Sequence, residues 1–403
     1  MKKTSFKQIV VLTATLMLVL FAFSGSEAQA QTRTVKLGTL EPLTGPAAAY
    51  GIPAKEGAMM AVDEINEAGG LKIGNERVKI ELVISDTRGK GNEAVAIVEK
   101  YIERDGIKII LGDLITSSAW AWAPVIERYN GKVLAVMHPS DPKIATIHPH
   151  IFSTKLPVAE YFEGTARFLF QNLKLKKMAM LIASDDYGVM VAKGIKKEFE
   201  KQGGKVVMEK NYNFADTDYY TPLTAVKGID HDCLFVAGIL PSAHFIFKQA
   251  KELGIKSTMG VIAAAGEKDS LKKFKCQDLE GTYDFGCGGD VLMRMGREAT
   301  IRIGNNYKKR YGKEITGLAV LAYETMRITA AGLEKAGSVD DLPKIMDGLY
   351  KLTVNDINHV MFNTRKAAPG TTDKVFSKDR VSYHGVPASK WQNCQVQFVD
   401  WIR

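Results

Sequence analysis

The chain is poor in cysteine, with four in 403 residues, at positions 233, 276, 287 and 394. Their spacing matches neither a zinc ribbon nor a C-x-x-C redox pair, so neither chemistry organises the fold. No GxSxG elbow, GxxxxGK[ST] loop or HExxH helix occurs, and no GxGxxG turn follows a first strand. The motif-based hydrolase, nucleotide-binding and zinc-protease readings therefore have no support, and no enzyme is expected. His138, His148 and His150 are not joined by acidic or cysteine ligands at metal-binding spacing, so no metal and no cofactor are expected. A dense basic patch interleaved with aromatics is also lacking. The lysines are scattered in short runs, such as Lys176-Lys177, Lys196-Lys197 and Lys308-Lys309. They mark solvated helix faces, not a nucleic-acid surface. Low-complexity tracts, short repeats and a Pro/Gly/Ser-rich tether are absent as well.

One long apolar run is present, from Ile9 to Phe23, behind Lys2, Lys3 and Lys7 and ahead of Ala28-Gln29-Ala30. A cationic start, an apolar core and an Ala-x-Ala site describe a secretory leader over residues 1–30. No cysteine sits at the cleavage region, which argues against lipid anchoring. Cleavage near Ala30 leaves 373 residues with a net charge of +7, since the leader carries three lysines and Glu27. That length exceeds what one hydrophobic core supports, so two domains are expected. Export opens the way to disulfides among the four cysteines, with three complete pairings. Cys233 starts the apolar run Cys233–Ala237 and reads as a buried thiol. Cys276 and Cys287 flank one short strand and form the preferred pair.

Hydrophobic period and punctuation give alternating strands and helices. Val35–Leu40, Val78–Ile84, Ile107–Leu111 and Val133–Met137 read as strands, separated by helices over 50–68, 93–103 and 117–129. The rhythm restarts after Pro157, with strands near 178–182, 205–210, 233–237 and 258–262. Three helical stretches follow, at 291–311, 316–336 and 339–350, and then a single strand within Trp391–Trp401. This pattern predicts an α/β protein of two parallel-sheet lobes. The first lobe is assigned 31–156 plus 287–357, the second 157–286 plus 358–403. Three hinge crossings are placed near 155–158, 284–288 and 352–362.

Several stretches resemble the branched-chain amino-acid (leucine/isoleucine/valine) binding proteins, type I periplasmic solute receptors. They are Pro42-Leu43-Thr44-Gly45-Pro46 with Tyr50-Gly51, the run Ala61–Leu71, Ser85-Asp86-Thr87, Leu111-Gly112 leading to Thr116-Ser117-Ser118, and Asp185-Asp186-Tyr187-Gly188. Their order and spacing extend over almost the whole chain after the leader. The resemblance implies an α/β fold of two doubly wound parallel-sheet lobes with a ligand cleft between them, and a periplasmic, monomeric receptor that delivers a small molecule to an ABC transporter permease. A ligand sensor for a signalling receptor shares the same architecture and differs in its partner.

The resemblance also implies a ligand site. Thr116 matches the carboxylate-binding serine, at a turn where a helix N-terminus suits an anion. Leu114 and Ile115 precede it. Ser140 matches the amino-acid-binding threonine, and the His138 carbonyl matches a main-chain acceptor. Tyr187 and Tyr50 match the cleft tyrosines, and Trp120 lies one helical turn past Thr116. The second lobe departs from the pattern. Ile262 stands where an acidic residue meets the ligand ammonium, and Leu240 where a tyrosine stands. A buried ammonium without a partner costs several kcal/mol. Unless Glu267 substitutes, an organic acid with an apolar body is the expected ligand, with an amino acid as runner-up.

Overall fold

The computed structural model describes residues 33–45, 47–139, 141–155, 158–213, 215–238, 240–262, 271–286, 298–357, 372–382 and 386–402. The leader read over 1–30 lies outside them. Among the described residues no helix is long and apolar enough to cross a membrane.

The chain opens with β1 (Arg33–Glu41), whose inner half is buried on both faces, as a central strand of a parallel sheet must be. Helix α1 (Ala48–Glu67), β2 (Leu71–Ile73), β3 (Glu76–Asp86), α2 (Gly91–Glu103), β4 (Ile109–Gly112), α3 (Thr116–Arg128), β5 (Leu134–Met137) and β6 (Ile151–Ser153) follow. These strands make one sheet in the order β2-β3-β1-β4-β5-β6. Only β2 runs antiparallel, paired with β3.

The second block begins with α4 (Val158–Arg167) and β7 (Lys177–Ala183). Next come α5 (Asp186–Lys201), β8 (Lys205–Tyr212), α6 (Tyr220–Lys227), β9 (Cys233–Ala237), α7 (Ser242–Glu252) and β10 (Thr258–Val261). A short helix α8 (Cys276–Leu279) leads to β11 (Tyr283–Asp284). The chain then returns to the first lobe with α9 (Glu298–Tyr311), α10 (Gly317–Ala336) and α11 (Leu342–Lys351). Helix α10 lies against α1 so closely that a Cβ on Gly57 would strike the Ala319 carbonyl. Tyr323 hydrogen-bonds Glu64 and Tyr307 hydrogen-bonds Glu56, which fixes α9 and α10 to the same face of α1.

Two expectations need correction. The third crossing does not fall at 352–362. Ile357, Val375 and Phe376 all belong to the first-lobe core, and Phe376 packs edge-on against Phe152. Val381 bridges to Ser153 on β6. Burying these apolar side chains keeps 372–382 with the first lobe, so the passage to the second lobe lies between Ser382 and Val386. The tail, secondly, holds two strands: β12 (Val386–Gln392) and β13 (Gln395–Ile402) form an antiparallel hairpin. Asn393 and Cys394 have φ of 53° and 64°, the left-handed pair that a two-residue hairpin turn requires. The second sheet therefore runs β13-β12-β11-β10-β9-β7-β8, parallel from β8 to β11 and antiparallel beyond.

That turn also settles the disulfide. Glu280 accepts from the N–H groups of Asn393 and Cys394, at 2.9 and 3.3 Å, and so seats the turn beside α8. Cys394 is bonded to Cys276, not Cys287, with their Cα atoms 4.9 Å apart. The hidden turn is the reason: a single tail strand leaves Cys394 nowhere near α8. Cys287 lies outside the described residues. Cys233 is a free, buried thiol on β9.

Candidate functional site

Ligands of open parallel sheets gather beyond the carboxyl ends of the strands. In the first lobe those ends are Glu41 on β1, Gly112 on β4 and His138 after β5, on three neighbouring strands. Gly112 has φ of 104°, and a Cβ there would run into the Leu40 carbonyl oxygen, so only glycine allows the turn. The turn carries Asp113, Leu114 and Ile115 into α3.

Thr116 is the first residue of α3 and the N-cap is Ile115, which makes no side-chain cap bond. In the loop before it, Asp113 Oδ1 accepts from the Ile115 N–H at 3.0 Å. Leu114 is buried, and its N–H donates to Glu41 Oε2 at 3.3 Å. The other oxygen, Oε1, lies 2.8 Å from His138 Nε2. Glu41, Asp113 and His138 are each 1% exposed or less, a buried polar cluster directly beneath the α3 tip. Among the described residues no three His, Cys, Asp or Glu side chains group as a metal site. Glu41 and Asp113 carry no motif in the sequence. Only the sheet order brings them together.

Burial pushes the Asp113 carboxyl up to about 8, and the Glu41 carboxylate adds to the rise. The Ser118 hydroxyl and the N–H groups of Ile115 and Leu114 oppose it. The folded protein therefore holds this proton from near 3.8, the ordinary carboxyl value, up to about 8, while the unfolded chain has released it. Stability contributed by this group falls as pH rises through that window. Asp113→Asn keeps an acceptor for Ile115 and removes the ionisation. Its denaturation midpoint should fall less than the wild type's between about pH 5 and about pH 8, with a gain of the order of a few kcal/mol at the upper end. Identical pH slopes for the two proteins would refute the assignment.

The second lobe faces this region with the start of α5. Asp185 caps α5, accepting from the Gly188 N–H at 2.6 Å. Tyr187 donates its hydroxyl to the Ile262 carbonyl at 3.1 Å. Its pKa is raised by burial and then by Asp284, Tyr50 and Asp185. Tyr50, on α1 of the first lobe, is raised by burial and by the charge of Asp185. The two tyrosines, one from each lobe, therefore lie within electrostatic reach of each other. The Ile262 side chain packs into the second-lobe core, against which Tyr187 also packs, and its carbonyl accepts from the Tyr187 hydroxyl. Leu240 is half-buried beside α7. Trp120 is 38% exposed on α3. Ser140 and Glu267 lie outside the described residues. Two carboxylates, Asp185 and Asp284, thus stand near Tyr187, so the Ile262 position alone does not leave the second lobe without acids. Asp284 was missed because β11 is only two residues long and carries no pattern.

Two mainly parallel sheets in separate lobes, with Tyr50 of one lobe close enough to Tyr187 and Asp185 of the other to be felt electrostatically, define a two-lobed solute-binding fold. The periplasmic binding protein family model matches residues 34–376, and the chain belongs to that family. It is 26% identical over 317 residues to the leucine-, isoleucine-, valine-, threonine- and alanine-binding protein of Pseudomonas aeruginosa, covering 76% of this chain and 80% of that protein. Among solved structures, the leucine-binding protein LivK of Thermotoga maritima superposes with a TM-score of 0.74 at 22% identity, covering 92% of this chain and 99% of that one. A solute-binding protein of an R. palustris ABC transporter, in complex with benzoate, gives 0.69 at 17% identity, covering 92% and 96%.

Proposed function

We propose that the chain, exported and cleaved near Ala30, is the monomeric solute-binding component of an ABC importer, and that it takes a small carboxylate-bearing ligand between its lobes. The observation that carries this reading is the α3 tip, set at the ends of β1, β4 and β5 and faced by Tyr187. The N-terminal end of α3 and the Thr116 hydroxyl receive the carboxylate. Asp113, protonated below about pH 8, adds no charge to repel it. The His138 carbonyl borders the seat, and Leu114, Ile115 and Leu240 flank it as apolar groups. Tyr50 and Tyr187 close over the ligand, and the permease receives the closed form.

An organic or aromatic acid is favoured because Ile262 stands where the family places an acidic residue against the ligand ammonium. The benzoate complex of a structural neighbour supports the same class. An α-amino acid is the second reading, supported by Asp185 and Asp284 beside Tyr187 and by what the P. aeruginosa relative is named for. Titration calorimetry of the mature protein against benzoate and other apolar acids, and against leucine, isoleucine and valine, separates the two. Saturable binding of an apolar acid without an ammonium is the expected result. Tight binding of leucine alone would move the assignment to the second reading, and binding of no carboxylate at all would end both.

A further inference from the structure

We propose that Glu41 is the positioning residue of the ligand seat: its one carboxylate holds the loop after β4 and the loop after β5 in a single register. The inference rests on the reading of the α3 tip as that seat. Glu41 ends β1, and its own carbonyl accepts from the Thr87 N–H at 3.0 Å, which fixes its backbone to the loop after β3. Its side chain then bridges two other loops, with Oε2 on the Leu114 N–H and Oε1 on His138 Nε2. In the sheet β5 is two strands from β1, with β4 between. Two strand spacings make about 9.6 Å, so the carboxylate must pass under the 112–116 turn before His138 reaches back to meet it. Aspartate is one carbon too short for that span.

A carboxylate buried this deeply costs several kcal/mol unless its lone pairs are filled, and an aliphatic residue would fill the same space without that cost. What an aliphatic residue cannot do is hold two loops by direction. The loops it holds carry the α3 tip on one side and the His138 carbonyl on the other, the two halves of the seat. Glu41 itself is 1% exposed and stays beneath the ligand. The charged and titratable groups facing it are Asp113 in the β4 loop and His138 after β5, with the Ser118 hydroxyl on α3 next to Asp113.

Glu41→Gln and Glu41→Asp are compared with wild type in the mature protein. Hydrogen exchange should quicken over 112–118 and 137–139 together, with β7 to β10 unchanged. Loss of the buried charge-assisted bonds should weaken binding of benzoate, or of leucine if that is the ligand taken, by about 10- to 100-fold. Losing the Glu41 charge also lets Asp113 ionise at lower pH, so the alkaline fall in Glu41→Gln affinity should begin earlier than in wild type. A purely space-filling role would leave affinity and the exchange of both loops in Glu41→Gln, which has nearly the same shape, as in wild type, and that result would overturn the proposal. So would faster exchange in only one of the two loops, or exchange raised evenly over the whole first lobe. If wild type binds none of the ligands, the seat reading fails, and the paired exchange response alone decides whether Glu41 couples the loops.

Discussion

Gly112→Ala is expected to abolish measurable ligand binding, lowering affinity more than about 100-fold, and to cost the first lobe roughly 2–4 kcal/mol of stability. Two effects combine. The φ of 104° is one that a Cβ resists, and here the Cβ would also collide with the Leu40 carbonyl, the strand partner of Gly112. Relief requires the end of β4 to leave β1, taking Asp113 away from Ile115 and Leu114 away from Glu41. The start of α3 moves with them. Gly106→Ala is the matched control, since Gly106 also has a positive φ, 66°, but its Cβ would meet nothing within 4 Å. Calorimetry and thermal unfolding of both variants give the comparison. Equal losses would mean that the close approach at Leu40 has no consequence.

Breaking the disulfide should produce the largest change in stability. Cys276 and Cys394 are 118 residues apart, and cross-linking a loop of that length stabilises by about 4–5 kcal/mol through the unfolded chain. The bond ties α8 to the hairpin that completes the second sheet, and the loop it closes includes the first-lobe helices α9–α11. Cys394→Ser is expected to lower the denaturant midpoint of the whole protein. Peptide mapping of the unreduced protein should recover Cys276 linked to Cys394. A Cys276–Cys287 peptide, or an unchanged midpoint, would contradict the pairing.

The alternation of strands and helices was legible because buried parallel strands such as Ile109–Leu111 and Cys233–Ala237 are continuous apolar runs between amphipathic helices. The Asn393-Cys394 turn was not, because it has no glycine to mark its left-handed backbone. Missing it merged two strands and misplaced a disulfide. The boundary at 357 failed for a related reason: Val375 and Phe376 are a short apolar pair whose partner, Phe152, lies more than two hundred positions earlier. In the site, Thr116, His138 and Tyr187 were marked by neighbouring motifs. Glu41, Asp113 and Asp284 become noticeable only once strand order places them, since a lone acid at a strand end has no periodicity to read.

The route of the chain through the second sheet sets an order of assembly. Strands β11 and β12 pair through Asp284 and Ser389, yet the entire α9–α11 layer of the other lobe is made between them. Until Val386–Gln392 arrives, β11 is an open edge offering unpaired backbone groups to any passing strand. Closing so long a loop is slow relative to local helix formation. A ribosome or translocase releasing this protein residue by residue thus hands over a finished first half and an unsealed second one. That interval is when a holding chaperone would have most to protect.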